Sequence, residues 1–292
     1  MRSRACRLAS GRGPGAVCGS PGGGLWATVT GVSGVPGTRA LGEPFASGRE
    51  ADVYALGDGK VLRRYRDGGD AAPEALVMWH VGRHGFPVPR VFAVEGPDLI
   101  LERLQGPTMA TMLLDGSMSI HDGAAILAEL LGQLHALPSL AGDVRPVAHP
   151  DQHPPPSPAT DVRTAVHLDP NPPPSPATDV RSVVHLDLHP ENVVVTAGGP
   201  VVIDWRNARD GVADLDTAFT ALILGQVATG AIAHPIQDRA GEMLDIFLEL
   251  APGDPLRALD EAVEMRSRQN TLSVGEIGML PLAAARVRGV GK

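Results

Sequence analysis

With 292 residues, a 43% apolar composition and only 3% aromatics, the chain can bury a core but must fill it with aliphatic side chains and alanine. Its net charge of −8 argues against a nucleic-acid partner held through phosphate contacts. Its two cysteines, Cys6 and Cys18, lie in the N-terminal tail, so no disulfide framework supports the folded part, as suits a reducing cytoplasm. No apolar run approaches the roughly 18 residues of a membrane span, and no membrane partner is expected.

Residues 1–40 are rich in Gly and Arg, without an acidic residue, and read as a disordered extension. Order is expected from Leu41. Phe45 to Leu56 reads as a strand, a small-residue turn at Ser47-Gly48 and a second strand, and Gly57-Asp58-Gly59 turns the chain into a third, Lys60 to Tyr65. The Ser47-Gly48 turn can bring backbone N–H groups close to phosphates. Glu74 to His84 has helical apolar spacing, ended by Gly85-Phe86-Pro87. Strands follow at Val91–Val94 and Leu99–Glu102. A second helix is expected over Ala124–Leu137, where Leu127, Leu130, Leu131 and Leu134 form a stripe closed by Pro138. His135 on this helix reads as a buried or capping histidine before it reads as a ligand.

Residues 154–171 then recur, with few changes, as residues 172–189. Two proline-rich copies do not make a solenoid, and the segment is expected to be a long exposed loop. The repeat serves as an internal control. His167-Leu168-Asp169 copies His185-Leu186-Asp187, but Pro174 stands where the second copy has Asn192, and no apolar strands follow it. Asp169 is therefore assigned no role.

After the second copy comes a polar loop, His185 to Asn192. It is followed by Val193-Val194-Val195, a turn at Gly198-Gly199, and Val201-Val202-Ile203-Asp204-Trp205. β-branched runs around two glycines signal a hairpin. The hairpin would bring Asp187, Asn192 and Asp204 together as oxygen ligands suited to Mg²⁺ shared with phosphate. Arg206–Gly211 reads as a polar loop and Asp216 as a helix N-cap. Helices are expected from Asp214, and again over 235–250, 255–267 and 276–288. Acidic residues there, Glu242, Asp245, Glu249, Asp260, Glu261 and Glu264, could attract a cationic substrate but read first as a solvated helix face.

His-x-Asp-x-x-x-x-Asn is the catalytic-loop spacing of kinases. HLDLHPEN followed by VVIDW resembles the aminoglycoside phosphotransferase family, the small-molecule branch of the kinase-like fold, with His189 as the family's mark. Glu74-Ala75-x-Val77-Met78, Leu99-Ile100-Leu101-Glu102-Arg103 and Leu134-His135-Ala136-Leu137 extend the resemblance over residues 41 to about 225. It implies an α+β, protein-kinase-like two-lobed fold. The N-lobe would be a small antiparallel sheet with one helix (41–103), and the C-lobe (104–292) mainly α-helical.

The resemblance also implies residue roles. Asp187 would accept the proton of a substrate hydroxyl, and Asn192 and Asp204 would hold Mg²⁺ against ATP. Glu74 would pair with the strand residue that clamps the phosphates. Glu102 to Leu104 would line the adenine site, and His185 would brace the loop. The implied activity is transfer of the ATP γ-phosphate to a hydroxyl of a small molecule, an antibiotic or a metabolite. The family strand carries lysine where this chain has Leu62-Arg63-Arg64, and alternation places Arg63 towards the nucleotide. That substitution motivates an alternative, a nucleotide- or protein-binding module without turnover. A third reading takes His185, Asp187 and His189 as transition-metal ligands of a hydrolase, which leaves Asn192 and Asp204 without a role.

Overall fold

The computed structural model describes residues 42–143 and 181–289. The N-terminal extension and the first repeat copy lie outside the described residues. Among the described residues, no helix is long and apolar enough to cross a membrane.

The first lobe is a five-stranded antiparallel sheet in the order β1-β2-β3-β5-β4. Its strands are β1 (Ala46–Ser47), β2 (Ala51–Gly57), β3 (Lys60–Tyr65), β4 (Val91–Glu95) and β5 (Asp98–Glu102). Helix α1 (Ala72–Arg83) sits between β3 and β4 in sequence and carries Pro73 in its first turn, where its fixed φ suits a helix. Its buried face carries Glu74, Ala75, Val77, Met78 and Val81. One charged residue thus enters an otherwise apolar stripe, and it needs partners there.

β3 pairs with β5 so that Arg63 stands opposite Leu99 and Arg64 opposite Asp98. Successive side chains alternate faces: Arg64 makes a two-pronged bond to Asp98, both contacts 2.6 Å, while Arg63 turns the other way. The chain leaves β5 through Arg103 and Leu104 and passes the backbone of Val195 at Gly106. Gly106 has φ 153, and a Cβ there would lie 2.0 Å from the Val195 carbonyl oxygen, so only glycine permits this approach.

The second lobe is built on helices α2 (Met109–Asp115), α3 (Ile120–His135), α4 (Ala213–Ala228), α5 (Gln237–Leu250), α6 (Pro255–Ser267), α7 (Val274–Gly278) and α8 (Leu280–Val287). α3 starts at Ile120, about one turn ahead of the expected Ala124, because Ser119 caps it by accepting from the Asp122 N–H. α4 is buried nearly all round and forms the centre of the lobe. The helix expected over 276–288 is two helices, with Pro281 beginning the second.

Two short antiparallel pairs lie between α3 and α4 in the chain. β7 (Val193–Thr196) and β8 (Gly199–Val202) form the expected hairpin, with Thr196 opposite Gly199, so its turn is Ala197-Gly198 rather than the two glycines. β6 (Arg181–Val184) pairs with β9 (Arg209–Val212). This corrects two expectations: the end of the second repeat copy is a strand, and so is part of the polar loop after Trp205. Ser182-Val183-Val184 is buried and supplies the partner that Arg-Asp-Gly-Val could not announce alone.

Candidate active site

The loop between β6 and the 3₁₀ turn Pro190–Asn192 holds Asp187, and it is fastened from below. The backbone N–H groups of His185 and Leu186 donate to the Asp216 carboxylate at 2.9 and 2.7 Å, and the Thr220 hydroxyl donates to the Leu188 carbonyl at 2.9 Å. Asp216 also accepts from His135 Nε2 at 3.0 Å. Asp216 lies inside the first turns of α4 rather than at its N-cap, so the capping role expected of it is replaced by one across the core. Burial pushes its carboxyl up, but the His135 and backbone donors outweigh burial and hold it below its ordinary value. Leu186, at φ 60, takes the left-handed conformation that this fastening requires.

His185 is fully buried. Its Nε2 donates to the Ile203 carbonyl at 3.1 Å, and its ring meets Trp205 edge-on at 4.8 Å. It ties the loop to the segment after β8. On the cleft side, Asn192 Nδ2 donates to the Asp187 carbonyl at 2.9 Å and contacts the Asp187 carboxylate at 3.4 Å. His189 Nε2 lies 3.2 Å from the same amide nitrogen. Burial lowers the His189 pKa, against the pull of Asp187, and favours the neutral ring.

The Asn192 carbonyl accepts from the Ile203 N–H at 3.0 Å, which sets Asp204 beside the loop. Asp204 has φ 65, a conformation that aspartate tolerates better than most residues. Arg63 reaches it from β3: Nη2 donates to the Asp204 carboxylate, while Nη1 lies 2.5 Å from each Glu74 oxygen. Glu74 accepts in addition from the Tyr65 hydroxyl and, at 3.0 Å, from the Trp205 N–H. The buried carboxylate of α1 is thus bonded to β3 and to the segment carrying Asp204. Arg63 keeps its charge; the Asp204 and Glu74 carboxylates outweigh burial and raise its pKa.

These groups line one cleft of about 1020 Å³ between the sheet and the helical lobe. Of the residues expected from the sequence, Gly48, Arg63, Glu74, Glu102, Leu104, Asp187, His189, Asn192 and Asp204 all line it. Ser47 does not: its hydroxyl donates to Asp52 at 2.7 Å, and the Gly48 carbonyl accepts from Arg66 at 2.7 Å. His185 is held away by Ile203 and Trp205, so His185, Asp187 and His189 do not converge. Among the described residues no group of three His, Cys, Asp or Glu is arranged to hold a metal. Asn192 and Asp204 offer an amide and a carboxylate, hard oxygen donors that fit Mg²⁺ when phosphate and water complete the shell.

Three cleft residues carried no signal in the sequence. Arg266 of α6 is buried, and its Nη1 donates to Asp187 at 3.0 Å and to Gln269 at 2.7 Å, while its Nε donates to Gln226 at 3.1 Å. Glu50 has its pKa raised by burial, with Arg206 opposing and Asp204 adding to the rise. Arg49 crosses the cleft mouth to the Thr271 carbonyl at 2.6 Å and to Glu276 at 3.3 Å. Each belongs to a chain position whose importance depends on which distant element folds against it.

A sheet-and-helix lobe joined by one linker to a helical lobe, with a His-x-Asp loop facing an Asp after a hairpin, defines a protein-kinase-like fold. The chain belongs to the phosphotransferase enzyme family, whose model matches residues 42–252. Among solved structures it is similar to a thermostable aminoglycoside phosphotransferase mutant in ternary complex with AMP-PNP and hygromycin B. That match has 15% identity, covers 86% of this chain and 93% of the other, and has a TM-score of 0.50. A choline/ethanolamine kinase family protein from Mesorhizobium loti matches at 15% identity over 86% of this chain and 93% of its own, with a TM-score of 0.45. No curated protein sequence matches significantly.

Proposed function

We propose that the chain is an ATP-dependent phosphotransferase that moves the γ-phosphate to a hydroxyl of a small molecule. The observation that carries this is the convergence of Asp187, Asn192 and Asp204 in the cleft that also receives the Arg63–Glu74 pair. In this reading Asp187 orients the acceptor hydroxyl and takes its proton. Asn192 holds the Asp187 backbone and carboxylate in place, and Arg266 fixes one carboxylate oxygen so that the other faces the substrate. Glu74 holds Arg63 against the phosphate side, where a guanidinium offers a forked charge in place of an ammonium. Glu102 to Leu104 border the adenine end, and the Gly48 turn covers the phosphates. Mg²⁺ held by Asn192 and Asp204 would neutralise charge on the phosphates; the remainder of the catalysis is positioning.

The test is Mg²⁺-dependent transfer of labelled phosphate from ATP across a panel of hydroxyl acceptors, or slow ATP hydrolysis, with Asp187→Ala as the blank. General-base chemistry predicts a loss of about 10²–10⁴-fold in the variant. An unchanged rate would remove Asp187 from the chemistry.

The Arg63–Asp204 bond favours one second reading, a nucleotide-binding module without turnover, because Arg63 engages the carboxylate that a metal needs. Mg·ATP would then raise the melting temperature without any turnover, and Arg63→Lys would not introduce it.

A further inference from the structure

The helical wall beside Asp187 has a composition that bears on the acceptor. Its position follows from a chain of bonds. Arg266 donates to Asp187 and to Gln226 of α4, and the Gln226 carbonyl accepts from the Ile232 N–H at 3.1 Å. Just beyond, His234 Nε2 meets Glu191 at 3.0 Å. The wall exposes part of Val227 from α4 and of Ile232 from the following loop, backed by the buried Ile223, Leu224 and Met243. From Ile223 to the end of the described chain, no acidic residue lines the cleft; the ionisable ones there are His234, Arg266 and Arg268.

The acidic side chains of α5 and α6 do not alter this. Asp245 pairs with Arg286, Asp260 with Arg288 and Glu264 with Arg268, and none of the three carboxylates lines the cleft. Glu191 is engaged by His234, and one oxygen of Asp187 by Arg266. A cationic acceptor brought to Asp187 would meet a buried guanidinium and an aliphatic surface, and among the described residues from Ile223 onward no carboxylate lines that wall.

We infer that the acceptor is an uncharged hydroxyl compound with an apolar body, which lies on Val227 and Ile232 while its hydroxyl reaches Asp187. This rests on the phosphotransferase reading above. The acceptor oxygen forms a bond to the γ-phosphorus as the β,γ-bridging P–O bond breaks. ADP leaves, and the hydroxyl proton passes to Asp187. Gln269, Asn270 and Thr271 line the same cleft and offer hydrogen bonds to the polar part of such a molecule.

The experiment is calorimetric binding to the full chain with Mg²⁺ and AMP-PNP present, using alkyl glucosides from propyl to octyl below micellar concentration. Hygromycin B and choline serve as cationic comparators. The expected result is an affinity that tightens about three- to fourfold per added methylene, the ratio set by burying one CH₂. Ile232→Asp and Val227→Thr, at partly exposed positions, should flatten that dependence while keeping the circular dichroism of the wild type. An affinity independent of chain length, or tighter binding of either cation than of octyl glucoside, overturns the inference. Phosphate transfer is read separately. Chain-length-dependent binding with no Mg·ATP turnover on any acceptor would sink the phosphotransferase reading and leave an apolar ligand site.

Discussion

Arg63 and Arg266 close on two of the cleft's carboxylates, Asp204 and Asp187, from opposite sides. Arg63 comes from the sheet, holds Asp204, and is itself held by Glu74, a carboxylate with almost no exposure. Arg266 comes from the helical lobe and holds Asp187, and its other partners are the neutral amides of Gln226 and Gln269. On the sheet side a buried charge balances a buried charge, and neither can leave alone. On the helical side the guanidinium has one charged partner, and that partner is itself partly exposed. The first arrangement is a structural unit that the fold depends on; the second adjusts a side chain that the fold would keep without it.

Removing the charge at each position measures the difference. Arg63→Met leaves Glu74 buried with no cation, and should cost about 3–5 kcal/mol of stability, the range for breaking a buried ion pair from one side. A denaturant titration reads this, and a loss below about 1 kcal/mol would mean that Glu74 finds another partner. Arg266→Met should cost less, about 1–3 kcal/mol, mainly from the unpaired Gln226 side-chain oxygen. Its clearer effect should be on transfer: kcat about tenfold lower with little change in the KM for ATP. Equal losses of stability in the two variants would erase the contrast drawn between the two sides.

Asp216 provides a third anchor that touches neither arginine. Its carboxyl is held below the ordinary value of 3.8, so its stabilising contribution is complete above that value and fades as pH falls through the folded-state pKa. Stability of the wild type should therefore drop below about pH 4. In Asp216→Asn the slope in that window should be shallower, as followed by melting temperature. The smallest effect concerns the repeat. Deleting residues 154–171 leaves one full copy, and should change stability by less than about 0.5 kcal/mol and leave transfer intact. Loss of soluble protein on that deletion would mean that the first copy packs against the folded lobes.

The two sides also differ in how far they could be read from the sequence. Asp187, Asn192 and Asp204 are legible because one loop and one hairpin carry all three, so local spacing nearly fixes their geometry. Arg63 was separable from Arg64 by strand alternation alone, and the sheet places Asp98 under Arg64 as alternation requires. Ser47 misled because a hydroxyl in a turn is free until a neighbour claims it, and Asp52 does so from the adjacent strand. α2 is too short to show periodicity, although Thr108 at its N-cap and left-handed Gly116 at its end mark its bounds. Arg266 could not be found: an arginine on an amphipathic helix is ordinary, and only the packing of α4 against α6 turns it inward. Asp216 resembles an N-cap for the same reason, since its true partners lie across the core on the loop it supports.

Asp204 lies at φ 65, in the region that a β-carbon makes costly for most residues but that aspartate and asparagine visit more readily. The backbone there limits which replacements report on chemistry. Alanine would remove the carboxylate and strain the turn into Trp205 together, so a dead variant would not say which loss mattered. Asp204→Asn keeps both the shape of the side chain and the tolerance of the backbone, and is the informative substitution. The same restriction narrows the mutational routes by which a descendant of this chain could lose the carboxylate and still fold: asparagine fits both demands, and glycine fits the backbone at the expense of the side chain.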